Sequence, residues 1–389
     1  MTPAARLQAA AELLDQILDG APAEKALTGW ARRSRFAGSK DRAAIRDHVF
    51  DALRCRRSFA ALGGSETGRG MMIGALRAAD QDTGAFFTGE GHAPAPLTPQ
   101  EIAAQRNPAG NEALDLPDWI VPLFRDSLGD RLEEVAHALR HRAPVMLRAN
   151  LRKTDRTEAT ARLAQDGILA VPAAISETAL IVKDGARRIN NSVAYREGLV
   201  ELQDGGSQAL VDRLPLEDGQ RVLDYCAGGG GKTLAMAGRV DSRFSAHDAN
   251  PRRLKDLPER ANRAGVAVKL LATDKAQSSG PFDLVLCDVP CSGSGSWRRA
   301  PEGKWALTTS GLDQLIAIQD DILDQTQSLV GGGGCLAYAT CSVLDVENKD
   351  RIAAFLKRHP GWQLDWSQNW LPGAETDGFF AACLTRKVE

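Results

Sequence analysis

Hydrophobic and polar positions follow three different patterns along the chain. Up to about residue 105, apolar residues recur every three or four positions, as in LQAAAELLDQIL and IRDHVFDAL, which predicts amphipathic helices. From about 112 to 200, strand-like stretches such as PVMLRANL and ALIVKD flank a helical stretch, DRTEATARLAQDG. From about 200 onward, strand-like and helical stretches alternate strictly, which predicts a parallel, doubly wound α/β sheet.

This order predicts three domains. We expect a helical domain over 1–110, a small α+β module over 111–200 and an α/β domain over 201–389. Ligands of doubly wound sheets bind beyond the carboxyl ends of the strands. The polar residues that directly follow the predicted strands are therefore the candidates for a functional site.

Composition narrows the class of protein. A chain of 389 residues with 43% hydrophobic and 25% charged residues is typical of a globular protein with two or three domains. No apolar run approaches the roughly 20 residues that a membrane helix needs, and charges interrupt the N-terminal stretch early, so we expect a cytoplasmic protein without a membrane partner. Seven cysteines, an odd number in a long chain, favour reduced thiols, and no spacing completes a metal-ligand set.

The distribution of charge matters more than its total. The net charge of −2 argues against nucleic acid, whose binders usually carry a basic surplus. Between residues 28 and 57, however, nine Lys or Arg face only three Asp, a pattern that fits either a solvated helix face or an RNA-binding face. The middle module carries a second basic group, made of Arg140, Arg142, Arg148, Arg152, Lys153 and Arg156.

A run of four glycines follows the first strand of the predicted α/β domain, in LDYCAGGGGKT (223–233). Glycines let a backbone approach a ligand closely. The run is not a phosphate-binding P-loop, because Cys226 stands where that motif needs Gly. Asp248 ends the next strand and suits the two hydroxyls of a ribose. Asp274 ends the third predicted strand and suits an adenine amino group, or equally a helix N-cap.

Two further strand ends carry cysteines. FDLVLCDVPCSGSGSWRRAPEGKW (282–305) brings Asp288 and Cys291 to a loop, and Cys341 follows the strand LAYAT directly. One such cysteine is often an inert small residue, but two at neighbouring strand ends predict a shared pocket. The segment from Trp297 to Trp305 also combines aromatic rings with cations, which suits single-stranded RNA.

At these segments the chain resembles the RsmB/NSUN (Fmu/Sun-type) RNA cytosine-5 methyltransferases, a family that includes bacterial 16S rRNA enzymes. The resemblance covers 198–389 clearly and rests on GLVELQDGGSQAL, DYCAGGGGKT, DVPCSGSGSWRRAPEGKW, YATCSVLDVENK and DGFFAACLTR. It implies a class I Rossmann-like methyltransferase domain, preceded by an RNA-recognition-like module and an all-α, NusB-like RNA-binding domain. One departure is the family's Ala-Ala-Pro-Gly-Gly-Lys loop, which here reads Ala-Gly-Gly-Gly-Gly-Lys over 227–232.

The resemblance implies methyl transfer from S-adenosyl-L-methionine to C5 of an RNA cytosine through a covalent Cys–C6 adduct. Cys341 would be the nucleophile and Cys291 would assist release, while Asp288 and Lys232 would contact the base. Cationic neighbours such as Lys232 would lower the pKa of Cys341. The implied cofactor residues are Cys226, Ala227, Gly228, Gly229, Gly230, Gly231, Lys232, Asp248, Asp274 and Asp288. Small-subunit rRNA is the implied substrate and a monomer the expected state.

Two alternatives stay open at this point. A DNA cytosine-5 methyltransferase would use Cys291, after Pro290, as its nucleophile, but the Glu-Asn-Val segment typical of such enzymes is absent and Cys341 would have no use. A noncatalytic RNA-binding or ribosome assembly factor on a methyltransferase fold is the other alternative. It would not need both thiols, Asp288 and Lys232, and it need not bind the cofactor.

Overall fold

The computed structural model describes residues 1–387, which form two compact units. The first unit consists of Met1–Arg142 together with Trp297–Leu307, and the second consists of Ala143–Ser296 together with the chain from Thr308 onward. The division into three sequence domains at about 110 and 200 stays a prediction.

The first unit is helical, as its apolar periodicity predicts. Its core is formed by fully buried residues such as Leu13, Ile45 and Met71. Two glycines of the fifth helix permit close packing, because a Cβ at Gly68 or Gly74 would lie 1.9 Å from a main-chain oxygen of a neighbouring helix. The helices up to residue 142 are α1 (Pro3–Leu18), α2 (Ala23–Arg33), α3 (Ser39–Arg54), α4 (Arg56–Gly63), α5 (Gly68–Ala78), α6 (Pro99–Ala103), α7 (Val121–Leu128) and α8 (Leu132–Leu139).

The second unit contains the small α+β module that the sequence predicts. Its antiparallel sheet has the order β2-β3-β1-β4. The fourth strand has only three residues, too few to reveal an alternating pattern, and the sequence analysis missed it. The elements are β1 (Val145–Ala149), α9 (Arg156–Gln165), β2 (Leu169–Pro172), β3 (Ala179–Asp184), α10 (Val193–Arg196) and β4 (Val200–Leu202).

A seven-stranded sheet forms the rest of the second unit, in the order β10-β11-β9-β8-β5-β6-β7. The strands are β5 (Arg221–Asp224), β6 (Arg243–Ala246), β7 (Val268–Leu270), β8 (Phe282–Asp288), β9 (Val330–Thr340), β10 (Trp362–Trp370) and β11 (Phe379–Arg386). The helices in this part of the sequence are α11 (Gly205–Asp212), α12 (Gly231–Ala237), α13 (Leu257–Ala264), α14 (Thr273–Ser278), α15 (Pro301–Ala306), α16 (Thr309–Thr326) and α17 (Lys349–Arg358).

This sheet confirms the predicted α/β class but is mixed rather than wholly parallel. The five strands from β9 to β7 run parallel, whereas β11 runs antiparallel to both of its neighbours, β9 and the edge strand β10. The sequence analysis missed β10, because a bulge between Leu364 and Trp366 interrupts its alternation and most of its residues are polar. Strands β5, β8 and β9 are buried on both faces, and their carboxyl ends lie together at one edge of the sheet.

The segment from Trp297 to Trp305 is not the exposed RNA-binding loop that its composition predicts. It belongs to the helical unit, where Trp297 is 2% exposed and stacks on Phe124 with ring centroids 5.6 Å apart. The amine of Lys304, 1% exposed, donates to the main-chain oxygen of Arg54 at 2.9 Å. Trp305 Nε1 donates to the main-chain oxygen of Leu53 at 2.7 Å, so these rings and cations serve the interior of the unit.

Candidate active site

The glycine loop after β5 is held in place by contacts on several sides. Gly228 and Gly230 have φ angles of +53° and +79°, a left-handed conformation that favours glycine over the alanine of the family's usual loop at 228. The carboxylate of Asp248 accepts a hydrogen bond from the Gly228 N–H at 2.9 Å. On the other side, the buried Arg148 donates to the main-chain oxygen of Gly231 at 2.9 Å. The loop is therefore anchored at both ends.

Asp224, the last residue of β5, is a site residue that the sequence analysis did not single out within LDYCAGGGGKT. It is 1% exposed, and its Oδ2 accepts a hydrogen bond from the Thr233 hydroxyl at 2.6 Å. Its Oδ1 is buried without a hydrogen-bond partner among the described residues. Burial raises the pKa of this carboxyl to about 7. A buried acid with a free oxygen beside a glycine loop suits a polar or cationic group of a ligand. The position of Asp224 at the end of the first strand of the α/β domain was the sequence feature that could have identified it as a site residue.

The two predicted nucleoside-binding acids lie in different settings. Asp248 is buried directly after β6, and its Oδ1 accepts the Asn250 N–H at 2.9 Å while Oδ2 serves the glycine loop. Asp274 does not end a strand, because β7 stops at Leu270. Instead, it lies in the first turn of α14, and its carboxylate is 75% exposed and 4.0 Å from the Lys275 amine. Its predicted contact with adenine stays a prediction.

Lys232 and Asp288 meet across two strand ends. Lys232 opens α12 after the glycine loop, and Asp288 is the last residue of β8. The Lys232 amine lies 2.6 Å from Oδ2 of Asp288 and 5.6 Å from the ring centre of Phe379. Burial by itself would lower the pKa of the amine, but the carboxylate of Asp288 outweighs it and raises that pKa. A charged amine and a carboxylate therefore stand side by side.

The two predicted site cysteines also meet. Cys291 follows β8 and Cys341 follows β9, and their sulfurs lie 3.5 Å apart. The hydrogen bond from the Cys291 thiol lowers the pKa of Cys341 against the effect of burial, with smaller contributions from Ser296 and Lys232. The same contact is the main cause that raises the pKa of Cys291. The expected direction for Cys341 is therefore confirmed, but its main cause is the second thiol rather than a cation.

The remaining cysteines differ in their surroundings. Burial raises the pKa of Cys226, in the glycine loop, and of Cys287, inside β8, so both are neutral thiols. The sulfurs of Cys335 on β9 and Cys383 on β11 are joined as a disulfide, which departs from the expectation of reduced thiols. The other five cysteines are free.

Comparison with known proteins bears on this site. A family model described as "16S rRNA methyltransferase RsmB/F" matches residues 211–385, and a second, "Methyltr_RsmF/B-like, ferredoxin-like domain", matches residues 116–187. Ribosomal RNA small subunit methyltransferase B of Vibrio vulnificus is 31% identical over 286 residues, which cover 70% of this chain and 67% of that protein. The chain belongs to the RsmB/F family.

Other relatives of this RsmB/F family member are consistent with this assignment. The protein of the same name from Vibrio cholerae is 32% identical over 284 residues; the match covers 70% of this chain but 65% of that protein, just under two thirds of its length. The crystal structure of PH0851 has a TM-score of 0.75 at 22% identity and covers 99% of both chains. NSun6 from Pyrococcus horikoshii with SFG has a TM-score of 0.62 at 17% identity and covers 70% of this chain and 99% of that chain. These two structures show the fold.

The cations of the second basic group in this family member have partners within the protein. Arg148 is buried at the glycine loop, and Lys153 donates to the main-chain oxygens of Glu197 and Arg263. Arg152 and Arg156 likewise donate to main-chain carbonyls of the second unit. The guanidinium of Arg140 donates to a main-chain oxygen, and that of Arg142 pairs with Asp47. All six cations are therefore paired, although the Arg142 side chain is 66% exposed.

A different basic segment is open to solvent. Around the turn between α2 and α3, the side chains of Arg32 and Arg33 at the end of α2, Arg35 in the turn and Lys40 at the start of α3 are exposed, and within residues 1–387 they have no hydrogen bond or ion pair. Phe36 in the same turn is 77% exposed. It borders a groove of about 930 Å³ that Trp30 and His92 also line. The basic N-terminal region thus retains a free cationic and aromatic surface.

In the part of the chain that the structure covers, no helix combines the length and the apolar character of a membrane span. Among the same residues, no cluster of three or more His, Cys, Asp or Glu has the arrangement of a metal site.

Proposed function

We propose that this chain is an S-adenosylmethionine-dependent RNA methyltransferase that acts on C5 of a cytosine in small-subunit ribosomal RNA. The observation that carries the proposal is the pair of thiols, Cys291 and Cys341, 3.5 Å apart beside the Lys232–Asp288 pair. The rRNA substrate is supported by the names of the relatives.

The glycine loop has the features that this cofactor needs. The left-handed glycines keep side chains away from a ligand, and Asp224 offers a buried oxygen without a partner. Within residues 1–387, the Asp248 carboxylate accepts two main-chain hydrogen bonds and forms an ion pair with Arg253, which leaves lone pairs for a ribose. When bound, S-adenosylmethionine supplies a methyl group on a positively charged sulfur. A structure solved with SFG, an analogue of this cofactor, has the same fold.

The chain's own residues account for the remaining chemistry. The Cys341 thiolate adds to C6 of cytosine, and the electron pair displaced from the C5–C6 bond makes C5 nucleophilic. Lys232 and Asp288, a donor and an acceptor held together, bind the polar edge of the base around N3 and N4 and stabilise the charge that develops there. After methylation the C5 proton leaves to a base, the C5–C6 double bond re-forms and the C6–sulfur bond breaks. The Cys291 thiol then stabilises the departing thiolate through its hydrogen bond.

RNA contact outside the pocket is assigned to the turn between α2 and α3. Arg32, Arg33, Arg35 and Lys40, in and beside this turn and without partners within residues 1–387, suit the phosphate backbone. The exposed Phe36 beside a groove suits an unstacked base. Binding through these cations falls as salt rises.

The test replaces each thiol and follows methyl transfer to small-subunit rRNA. We expect Cys341→Ala to abolish transfer, whereas Cys291→Ala accumulates a covalent protein–RNA adduct that survives denaturing electrophoresis. Cys55→Ala is the matched control, since that thiol lies in the helical unit and burial raises its pKa to about 12. An active Cys341→Ala enzyme would contradict the assignment. Bisulfite sequencing of RNA from cells with and without the protein would identify the modified cytosine.

A further inference from the structure

The carboxylate of Glu347 connects the two loops that carry the site cysteines. Glu347 lies in a short 3₁₀ turn after β9 and is 0% exposed. Its Oε1 accepts hydrogen bonds from the Ser292 N–H at 2.8 Å and from Gln319 Nε2 at 3.1 Å. Its Oε2 accepts the hydroxyls of Ser292 and Ser342, each at 2.5 Å. Because Ser292 follows Cys291 and Ser342 follows Cys341, one side chain bridges both loops.

Neighbouring hydrogen bonds fix this carboxylate in turn. The Tyr338 hydroxyl donates to the main-chain oxygen of Glu347 at 2.6 Å. The next residue, Asn348, accepts the Thr340 hydroxyl at 2.6 Å and donates to the main-chain oxygen of Ser342 at 3.0 Å. The residues on both sides of Cys341 are therefore bound to the same short segment.

Burying a carboxylate is costly unless several donors compensate its charge. Within residues 1–387, Glu347 has no ion pair, and four hydrogen bonds, three of them from the two serines, take the place of a cation. An apolar residue would fill this space without that cost, so packing alone does not explain the arrangement. What the carboxylate adds is a rigid link between two loops that are far apart in sequence.

We propose that Glu347 is a positioning residue that holds the Cys291 and Cys341 loops at the spacing at which their two sulfurs meet. The role of Glu347 in catalysis rests on the proposed function, whereas its role in setting the distance between the two sulfurs does not. The bonds of Glu347 to the two loops are unequal in number, two to Ser292 and one to Ser342. The hydrogen bond to Cys341 is the main cause of the raised pKa of Cys291, burial is the second, and the charge of Glu347 makes a smaller contribution in the same direction.

Two substitutions separate the link from the bulk of the side chain. In Glu347→Gln, the amide oxygen still accepts from the Ser292 N–H and Gln319, and the amide NH₂ donates to serine hydroxyls that rotate to accept. In Glu347→Ala, the bridge is lost. Tyr338→Phe is the matched control, because it removes one buried hydrogen bond of the same segment and leaves the carboxylate bridge intact.

The first readout does not depend on methyl transfer. A diazene oxidant such as diamide takes up the two thiol hydrogens as the Cys291–Cys341 disulfide forms, and peptide mapping by mass spectrometry follows the rate. We expect Glu347→Ala to slow this reaction roughly tenfold or more, because the sulfurs lose their alignment. Glu347→Gln and Tyr338→Phe should remain within about threefold of wild type. A wild-type rate in Glu347→Ala, or an equal loss in Tyr338→Phe, would overturn the proposal.

The second readout is methyl transfer itself. Glu347→Ala should lower kcat with little change in KM for RNA, and Glu347→Gln should restore most of the loss. If the wild-type protein methylates no RNA, the proposed function fails, while the disulfide rates still decide the role of Glu347. If Glu347→Ala does not fold, the double variant Ser292→Ala/Ser342→Ala removes the two hydroxyl bonds and should slow disulfide formation in the same direction. A wild-type rate in that variant would equally count against the proposal.

Discussion

Two segments of the helical unit have nearly the same composition and opposite surroundings. RRSRFAGSK, over 32–40, combines one aromatic ring with four cations, and WRRAPEGKW, over 297–305, combines two rings with three cations. In the first, Phe36 and the cations face solvent, and the cations have no partner within residues 1–387. In the second, Trp297 and Lys304 are almost completely buried. Composition alone would assign both to RNA, but in the second segment two of the rings and cations that suggested it are buried.

The difference lies in what each segment meets. The main-chain oxygens of Leu53 and Arg54, at the C-terminal end of α3, have no partner within their own helix. Trp305 and Lys304 donate to these two oxygens, and Arg54 donates from its guanidinium to the main-chain oxygen of Arg298. The second segment thus completes a helix end, whereas the turn over 34–38 only connects two helices. A cation identifies a nucleic-acid surface only after its internal partners have been excluded.

The largest expected effect is on stability. Trp297→Ala should lower the free energy of unfolding by roughly 3–5 kcal/mol, because it removes a buried ring stacked on Phe124. Urea denaturation measures the loss. Phe36→Ala, an aromatic truncation at the exposed segment, should change the free energy of unfolding by no more than about 0.5 kcal/mol. Equal effects at the two positions would remove the contrast between the segments.

The second effect is a pH dependence of stability that only the buried segment has. Burial lowers the pKa of Lys304 from 10.5 to about 8. Between those values the unfolded chain holds a proton that the folded chain lacks, so stability rises with pH across this window. The wild type should gain about 2 kcal/mol relative to Lys304→Met between pH 7 and pH 10, measured by denaturation at each pH. A constant difference would mean that Lys304 is charged or exposed throughout.

The third effect concerns RNA affinity. Replacing Arg32, Arg33 and Arg35 together by Gln should weaken binding of an rRNA fragment by roughly one to two orders of magnitude at 0.1 M salt. The slope of affinity against salt should fall by about 2, since each phosphate contact on a single strand contributes about 0.7. Titration at several salt concentrations checks both numbers. Arg131→Gln, compared with the single variant Arg35→Gln, is the charge-matched control, because the Arg131 side chain is already paired with Glu134. An equal loss in this control would show that the effect is not specific to the turn.

The smallest effect separates stacking from charge. Phe36→Ala should weaken the same RNA by about five- to tenfold, near the lower limit for loss of one stacked base, with the salt slope unchanged. Phe36→Trp should retain the affinity. A loss in both variants, or a changed slope, would argue against a stacked base at Phe36.

Much of the fold and of the candidate site followed from the sequence. The helical periods, the βα alternation and the positions of Asp288, Cys291 and Cys341 after their strands are local patterns, and the structure agrees with them. Asp274 failed as a strand end because the third strand stops four residues earlier, and Leu271 and Ala272 continue the apolar run past that stop. Glu347 was visible only as part of a quoted motif, since its partners lie on two loops and on α16.

The sequence by itself determined the order of the elements and the residue types at each strand end, because periodicity and glycine conformation act within a few residues. Tertiary structure decided which cations remain free, where Trp297 and Lys304 are buried, and which of two similar thiols has the lower pKa. Burial and hydrogen bonding bring together groups far apart in the chain, such as Cys291 and Cys341, or Lys304 and Arg54. Those contacts exist only after the chain has folded, and they set the chemistry of the candidate active site and of the buried segment from Trp297 to Trp305.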